Sequence, residues 1–378
     1  MFRPISFLTT LLFLSMPAHG QSGFDTKAPH AVILDAATGE VLYEKEARQP
    51  IAPASMTKIM TADLVFDALR NGSLTPEIKF RVSADAWRRG GVKSGSSTMF
   101  LKEKSQVSVG DLLMGVIVQS GNDACIVLAE GMAGSEDAFA VRMTERARQL
   151  GLSTATFKNA TGWPHPDHKI SALDLARLAQ NQIETFPEYY SLYGIKDFTW
   201  NGIKQSNRNP LLGRFAGADG MKTGSTEASG YGLVGSAKRG DDRRIIVING
   251  LGSQAERRNV ATSLMEAAFT QFNIFKLHSQ GDVLGKVDVY MGKTPSVGVA
   301  LTEDIQKGLL IADRKKVKSE IIYTAAKAPI AKGDLVAELK ISLPGRPDET
   351  YDLVATEDVK RKGLLARAWT GLLANIRG

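Results

Sequence analysis

Ala52-Pro53-Ala54-Ser55-Met56-Thr57-Lys58-Ile59-Met60-Thr61 contains the tetrapeptide Ser-x-x-Lys, which occurs once in this chain. The prolines exclude a helix before Ser55, and residues 59–66 then continue as a mostly apolar run with helical character. Since three residues are almost one helical turn, Lys58 is predicted to lie beside the Ser55 hydroxyl. Taken alone, a Ser-x-x-Lys tetrapeptide is also typical of an exposed helix start.

The chemistry of this pair favours a catalytic serine. A serine hydroxyl becomes a good nucleophile when a base within about 3 Å accepts its proton. A lysine with an ordinary pKa near 10.4 is protonated at pH 7, and lowering that pKa to about 8 costs roughly 3 kcal/mol. Burial at the positive end of a helix, with Lys222 as a second cation nearby, acts in this direction. We predict Ser55 as the acyl-ester nucleophile and Lys58 as its general base.

Two further tripeptides follow in the order that a serine acyl-transfer site needs. Ser120-Gly121-Asn122 and Lys222-Thr223-Gly224 each occur once. Ser120 offers a hydroxyl to relay a proton toward the leaving group, and Asn122 offers an amide to hold the substrate backbone. As an isolated motif, the first tripeptide is more typical of a capped turn between two helices. Together, the three motifs predict one catalytic cleft.

The third tripeptide is predicted to lie on an edge strand. Residues 218–220 are typical of a turn, and residues 230–236 would pair with residues 244–249. An edge strand leaves one side of its backbone open to an extended substrate.

The side chains of that strand suit a carboxylate. Lys222 and the Thr223 hydroxyl could bind it, while Gly224 would let the substrate approach closely. Backbone N–H groups of Ser55 and Ser225 are predicted to stabilise the developing oxyanion, commonly the largest single contribution to such catalysis.

With these motifs, the chain resembles the superfamily of penicillin-binding proteins and serine β-lactamases. It is most similar to the low-molecular-mass penicillin-binding proteins that are serine-type D-alanyl-D-alanine carboxypeptidases, peptidase family S11, which includes penicillin-binding proteins 5 and 6. The resemblance covers most of the chain and is carried by residues 52–61, 119–125 (QSGNDAC), 159–168 (NATGWPHPDH) and 219–226 (DGMKTGST).

The resemblance implies removal of the terminal D-alanine from peptidoglycan stem pentapeptides through an acyl-enzyme on Ser55. It also implies inhibition by penicillins, which are slow mimics of the substrate, and roles in peptidoglycan maturation and cell shape. Arg208 and Arg257 match arginines near the carboxylate-binding end of the cleft, although either could be an ordinary surface arginine. Met56 and Ser225 stand where relatives often carry other residues, and neither change removes a functional group.

Other functions of the same superfamily stay open. A class A β-lactamase adds a glutamate in a Glu-x-x-Leu-Asn loop, and no such pentapeptide occurs between Asn159 and Lys222. A D,D-endopeptidase would share all three motifs. A catalytically silent wall-binding scaffold would have no need of the complete set of motif residues.

The N-terminus predicts export. Residues 1–21 have Arg3, an apolar run from Ile5 to Met16 and the small-residue cleavage site Ala18-His19-Gly20, as in a secretory signal peptide. The run is too short for a membrane span, which needs about 20 apolar residues. We expect secretion to the periplasm.

Residues 357–378 are predicted to form an amphipathic membrane-anchoring helix. An apolar stripe with a basic remainder suits a helix lying in an anionic membrane surface, here the outer face of the cytoplasmic membrane. The alternative is a terminal helix packed on its own domain. The stripe comprises Leu364, Leu365, Ala368, Trp369, Leu372, Leu373 and Ile376, and the basic residues outside it are Lys360, Arg361, Lys362, Arg367 and Arg377.

Two domains are expected between these ends. Residues 22–275 begin with a hairpin pattern, continue with helical runs and end with strands, which indicates an α+β catalytic domain with an antiparallel sheet flanked by helices. Residues 276–356 show short alternating strands and predict a small all-β domain without a catalytic signature. This domain would be either a spacer from the membrane or an adaptor for a partner protein.

The remaining features predict neither cofactor nor metal. Cys125 is the only cysteine, so it forms no intramolecular disulfide, and we expect it buried beside the site. His165, Asp167 and His168 could indicate a metal, but prolines place them in a loop without a His-Glu-x-x-His helix. The net charge of +7 comes without a nucleic-acid-binding motif, so anionic lipid and wall polymers explain it better than nucleic acid.

Overall fold

The computed structural model describes residues 23–364 of the chain. The predicted signal peptide and most of the predicted terminal helix lie outside these residues. The helices are α1 (Lys58–Arg70), α2 (Val109–Ile117), α3 (Asn122–Ala133), α4 (Glu136–Gln149), α5 (Ala172–Thr185), α6 (Pro187–Tyr190) and α7 (Gln254–Thr270). The strands are β1 (His30–Asp35), β2 (Val41–Lys45), β3 (Pro50–Ile51), β4 (Lys79–Arg81), β5 (Gln106–Ser108), β6 (Ile170–Ser171), β7 (Asp197–Trp200), β8 (Ile203–Ser206), β9 (Ala218–Thr226), β10 (Gly230–Arg239), β11 (Asp242–Leu251), β12 (Phe272–His278), β13 (Val283–Tyr290), β14 (Ser296–Leu301), β15 (Ile305–Leu310), β16 (Lys318–Ile322), β17 (Ala326–Lys327), β18 (Leu335–Ser342) and β19 (Glu349–Ala355).

The catalytic domain is built on a five-stranded antiparallel sheet in the order β2-β1-β11-β10-β9. Strands from both ends of the domain meet at its centre, where β1 pairs with β11 from His30 opposite Asn249 to Asp35 opposite Arg244. The predicted hairpin of β1 with β2 and the pairing of β10 with β11 are confirmed. The third motif lies on β9, an edge strand of this sheet, as predicted.

Both faces of the sheet are buried because the middles of its central strands carry apolar side chains on both faces, as in residues 31–34 of β1 and 245–248 of β11. On β1, Val32 and Leu34 point into a core shared with α1 to α5, whereas Ala31 and Ile33 point into a second core shared with α7. This arrangement of helices on both sides of an antiparallel sheet is the predicted α+β architecture.

The small domain contains a six-stranded sheet in the order β16-β18-β19-β14-β13-β17 and a two-stranded sheet of β12 and β15, and both contribute to one apolar core. Its one described helical element is a 3-10 turn at Ile311–Lys316. The predicted all-β character is therefore correct for the described residues, apart from this turn.

Polar contacts attach the small domain to β2. Arg346 donates hydrogen bonds of 3.0 Å to the carbonyl oxygens of both Val41 and Leu42. A Cβ atom at Gly308 would lie 2.4 Å from the Leu42 side chain. The close approach of β15 to β2 therefore requires glycine at this position.

Two predicted domain boundaries need correction. The boundary at 275 falls inside β12, which pairs with β15 from Phe272 opposite Leu310 onward and so continues past that point as one strand. Residues 357–362 are not the start of the terminal helix, because they pair with the small domain: Val359 lies opposite Ile330. Backbone hydrogen bonds with Ile330 hold Val359 in an extended conformation instead.

No helix within residues 23–364 has the length and apolar character needed to cross a bilayer.

Candidate active site

Ser55 lies in a 3-10 turn, Ala54–Thr57, which leads directly into α1. The α-helix itself begins at Lys58, three residues after the predicted start. Lys58 Nζ nevertheless lies 3.0 Å from Ser55 Oγ, so the turn brings the two side chains together as predicted. Ala54 has a φ of +48°, a left-handed conformation that costs an alanine roughly 1 kcal/mol. Such strain is typical of segments that fix a functional side chain.

The Lys58 amine has three hydrogen-bond partners. It lies 3.0 Å from Ser55 Oγ, 2.7 Å from Asn122 Oδ1 and 2.6 Å from the Thr161 carbonyl oxygen. The last two oxygens can only accept hydrogen bonds. A neutral amine has two protons and one lone pair, so both protons are used on these oxygens. The lone pair of neutral Lys58 is therefore directed at the Ser55 hydroxyl.

Burial makes the neutral form of this lysine accessible. Lys58 is 1% exposed, and the loss of solvent lowers its pKa to about 8. Repulsion from Arg208 acts in the same direction, while Cys125 and the carboxylates of Glu136 and Asp123 oppose it. Burial, more than the predicted second cation, therefore causes the shift.

Lys222 has a lowered pKa as well. Burial is again the largest cause, and repulsion from Lys58 adds to it, so the pKa of Lys222 lies well below the ordinary value. Its ammonium group donates a 3.1 Å hydrogen bond to the Thr223 carbonyl oxygen. The two lysines of the first and third motifs thus lie close enough to repel each other, as the sequence predicted.

The second motif occupies the turn between α2 and α3, as expected. Ser120 has a φ of +59° and is 1% exposed, and its hydroxyl has no hydrogen-bond partner among the described residues. Asn122 is engaged at both ends of its amide, because Oδ1 accepts from Lys58 and Nδ2 donates to Ser96 Oγ at 2.9 Å. The amide predicted to hold the substrate thus positions the lysine in this structure, whereas the Ser120 hydroxyl is left for a ligand.

On β9, the structure gives a different reason for the glycine of the third motif. A Cβ atom at Gly224 would lie 2.7 Å from the Pro53 carbonyl oxygen and 3.1 Å from Met56. Gly224 thus allows the strand to pack against the turn Ala54–Thr57, which we call the nucleophile turn after the predicted role of Ser55. Thr223 is 5% exposed, and Ser225 is exposed opposite Tyr231 of β10.

The predicted turn at residues 218–220 is wrong, because β9 begins at Ala218. These residues extend the pairing of β9 with β10, where Gly220 lies opposite Ser236. The longer strand carries the third motif in its middle.

The two arginines lie at the same end of the cleft. Arg208 is an exposed residue on the segment between β8 and β9 and donates a short hydrogen bond to Ser97 Oγ. Arg257 is on the first turn of α7, is 7% exposed, and lies over the Tyr231 ring at 5.7 Å. The interpretation of Arg257 as an ordinary surface arginine is therefore wrong.

These cations repel one another. Arg208 and Arg257 both contribute to the lowered pKa of Lys222, and Arg208 also contributes to the lowered pKa of Arg257. Within residues 23–364, none of the three forms an ion pair, and Arg257 Nε has no hydrogen-bond partner. Converging cations without a counter-ion are suited to bind an anionic group such as a carboxylate.

Two family models match the chain. The model of D-alanyl-D-alanine carboxypeptidases, peptidase family S11, covers residues 17–252, and that of the C-terminal domain of penicillin-binding protein 5 covers residues 272–361. The chain belongs to the D-alanyl-D-alanine carboxypeptidase family. The predicted family, fold class and carboxypeptidase function are confirmed.

Individual relatives agree over most of their length. The chain is 36% identical to D-alanyl-D-alanine carboxypeptidase DacC of Escherichia coli strain K12 over 370 residues, which are 96% of this chain and 92% of DacC. Penicillin-binding protein 5 from Haemophilus influenzae is 34% identical with a TM-score of 0.69, and the match covers 90% of this chain and 100% of that one. Penicillin-binding protein D2 from Listeria monocytogenes, solved with ampicillin bound, is 30% identical with a TM-score of 0.57 over 66% of this chain and 100% of that one.

Three polar groups of this carboxypeptidase site were missed by sequence reasoning. The Thr161 carbonyl oxygen contacts Lys58, Ser96 contacts Asn122, and Ser97 contacts Arg208. Every residue has a backbone carbonyl group, so the sequence does not indicate which of them contacts Lys58. The serines lie in the segment 94–97 (SGSS), whose small polar residues are also typical of an ordinary loop.

Asp123 fixes the loop that carries these serines. Its buried carboxylate accepts hydrogen bonds from the Thr98 hydroxyl at 2.7 Å and from the backbone N–H groups of Met99 and Leu101 at 2.8 and 3.0 Å. The residue after Asn122 therefore ties the second motif to the wall of the cleft in this member of the family.

His168 supports the nucleophile turn from behind. Its Nδ1 accepts the backbone N–H of Lys158 at 3.1 Å, so Nε2 carries the proton and donates to Thr57 Oγ1 at 2.8 Å. Burial lowers the pKa of His168 to about 4, so the ring is neutral at pH 7. Both ring nitrogens are thus used by protein groups.

Cys125 is fully buried on α3, as predicted, and burial raises the pKa of its thiol to about 12. His165 Nδ1 accepts the backbone N–H of Asp167 at 3.1 Å. In the part of the chain that the structure describes, no three His, Cys, Asp or Glu residues are grouped as metal ligands would be.

Proposed function

We propose that this D-alanyl-D-alanine carboxypeptidase acts through an acyl-enzyme on Ser55, with Lys58 as the base. The observation that carries the proposal is the direction of the Lys58 lone pair. Two carbonyl oxygens, Asn122 Oδ1 and Thr161 O, use the protons of the neutral amine and leave its lone pair facing Ser55 Oγ at 3.0 Å. With a pKa of about 8, a useful fraction of Lys58 is neutral at pH 7.

Acylation would proceed by addition and elimination. Ser55 Oγ attacks the carbonyl carbon of the penultimate D-alanine while its proton passes to Lys58. The C–N bond to the terminal D-alanine then breaks, and the leaving amine needs a proton. Ser120 supports a route for that proton, because its buried hydroxyl has no partner among residues 23–364 and can accept one proton as it donates another.

The oxyanion of the tetrahedral intermediate would be bound by the backbone N–H groups of Ser55 and Ser225. The nucleophile turn and β9 are in contact at Gly224, one residue before Ser225, which supports this pairing. Removing one such donor in other enzymes costs about 100- to 1,000-fold in turnover.

The terminal carboxylate of the substrate would lie among Lys222, Thr223, Arg208 and Arg257. These cations repel one another and have no anionic partner within the described residues. A substrate carboxylate supplies the missing negative charge. This requirement favours a substrate whose leaving residue carries a free carboxylate, as the terminal D-alanine of a stem pentapeptide does.

Hydrolysis of the acyl-enzyme would return Ser55 to its free state. Lys58 is placed to activate the incoming water, because its amine lies beside Ser55 Oγ, the oxygen of the ester, and can accept a proton from that water. A β-lactam would acylate Ser55 in the same way, but its ring-opened leaving group stays attached and slows the attack of water. The ampicillin-bound relative supports β-lactams as covalent inhibitors of this chain.

We further propose that the chain is exported through residues 1–21 and held at the outer face of the cytoplasmic membrane by its C-terminal segment. The signal-like N-terminus and the apolar stripe after Leu364 support this location. The small domain would then set the distance of the active site from the membrane. Its substrate would be the stem peptides of the nearest peptidoglycan, in wall maturation and the control of cell shape.

Two assays test the proposed activity. Purified protein should release D-alanine from a stem pentapeptide and take up one fluorescent penicillin at Ser55. Ser55→Ala is the matched control and should lose both. Folded protein without a covalent label would identify a silent scaffold. Faster cleavage of a cross-linked muropeptide than of the pentapeptide would identify an endopeptidase, and rapid turnover of penicillin a β-lactamase.

A further inference from the structure

Three segments of the small domain meet at the end where the described chain stops. Residues 290–293, 326–330 and 359–362 are joined by backbone hydrogen bonds. The Lys293 N–H donates to the Lys360 carbonyl at 2.7 Å, and the Ala328 N–H donates to the Tyr290 carbonyl at 3.0 Å. Residues 330 and 359 bond to each other in both directions. We call these three segments the basic end.

All charged side chains of the basic end are positively charged. It contains no acidic residue, and its basic residues are Lys293, Lys327, Lys360, Arg361 and Lys362. The first four are exposed, and none of these four forms an ion pair with another residue in the range 23–364.

Two other lysines of the small domain are held in ion pairs. Lys276 contacts Asp304 at 2.9 Å, and Lys340 contacts Glu320 at 2.9 Å. These two lysines differ from Lys293, Lys327 and Lys360, which have no carboxylate partner in the range 23–364. An unpaired group of cations indicates an anionic partner.

Exposed aromatic and apolar side chains border these cations. Tyr290 is 42% exposed within the basic end, and Tyr323 and Leu335 are 41% and 59% exposed at an adjoining groove that Lys327 also lines. Tyrosine beside lysine and arginine is typical of proteins at the headgroup level of a membrane.

The position at which the described residues end also favours a lipid partner. The described residues end at Leu364, two positions after the last basic residue of the basic end. Residues 365–378 therefore start there, and they include Trp369, Arg367 and Arg377 but no acidic residue. With residues 365–378 bound to a membrane, as proposed above, the basic end would lie against the lipid headgroups.

We propose that the basic end docks directly on an anionic phospholipid surface. The contact is additional to the C-terminal segment and restricts rotation of the folded domains about that segment. It rests on the proposed membrane location. An acidic wall polymer or an acidic protein would use the same charge, but the tyrosines and the position of residue 364 favour lipid.

The test compares two variants of the full-length mature protein with equal charge change. One is Lys293→Gln/Lys327→Gln/Lys360→Gln in the basic end. The matched control is Lys286→Gln/Lys315→Gln/Lys318→Gln, which removes exposed, unpaired lysines elsewhere on the small domain. Flotation is measured with vesicles containing about one third phosphatidylglycerol and with neutral phosphatidylcholine vesicles.

Each lysine near an anionic surface contributes about a fivefold change in partitioning, so the first variant should bind anionic vesicles on the order of 100-fold more weakly. The control should stay within about twofold, and neither variant should change the rate of penicillin labelling at Ser55. Equal losses in both variants, or no loss in the first, would overturn the proposal. Failure of the parent protein to bind any vesicle would instead contradict the proposed membrane attachment, while penicillin labelling tests the enzymatic proposal separately.

Discussion

The acylation rate of Ser55 should follow the titration of Lys58. The base must be neutral, so the rate rises with pH until the lysine is fully deprotonated. With a pKa of about 8, roughly one tenth of Lys58 is neutral at pH 7 and about half at pH 8. A lysine of ordinary pKa would be neutral in only about one molecule in 3,000 at pH 7. Burial thus raises the amount of active base by about 300-fold.

The expected profile rises about 50-fold from pH 6 to pH 8 and becomes level near pH 9. It can be measured as the second-order rate constant for labelling by a fluorescent penicillin, with circular dichroism at each pH to verify that the protein stays folded. A rate that continues to rise tenfold per pH unit above pH 9 would mean that burial does not lower the Lys58 pKa. A rate independent of pH between 6 and 8 would exclude Lys58 as the titrating base.

Three further outcomes are expected. Asn122→Ala should lower the labelling rate about 100-fold at unchanged thermal stability, because Lys58 loses a positioning contact at 2.7 Å; an unchanged rate would deny it that role. Arg208→Gln should raise the KM for pentapeptide about tenfold through loss of a charge-assisted carboxylate contact, whereas Arg214→Gln, an exposed control, should not; equal KM values would remove Arg208 from the carboxylate site. Truncation after Leu364 should release labelled enzyme from vesicles at high salt without lowering the melting temperature, whereas truncation after Glu357 removes a buried valine and should lower it by several degrees; equal melting temperatures would contradict the observed pairing of residues 357–362.

Much of the architecture could be predicted because its signals are local. The short apolar runs of β1 and β2 on either side of a turn, the apolar run after Lys58 and the glycine-rich β10 each specify their own element. The order of the three motifs then places the nucleophile, the second wall and the edge strand around one cleft.

The boundaries could not be predicted because they depend on distant partners. Residues 357–362 are mostly charged and lead directly into the apolar stripe that begins at Leu364, yet Ile330 offers a strand partner that the local sequence does not reveal. In the same way, β12 crosses the expected boundary because β15, about thirty residues later in the chain, pairs with it.

The polar environment of the site is also set by distant contacts. The second carbonyl oxygen on Lys58 belongs to Thr161, and no side-chain pattern marks a backbone group. Gly224 was explained by access of the substrate, but the close neighbour is the Pro53 carbonyl oxygen of the nucleophile turn. Sequence reasoning named the side chains that we propose to react, while the groups that orient them required the structure.

The central claim is that Lys58 takes the proton of Ser55, and Lys58→Arg tests it most directly. Arginine keeps the positive charge and the hydrogen-bond donors but stays protonated throughout the accessible pH range. We predict that penicillin labelling of the folded variant falls by about 1,000-fold and no longer depends on a group with a pKa near 8. A labelling rate within a few fold of the parent, with the same pH profile, would show that another group accepts the proton.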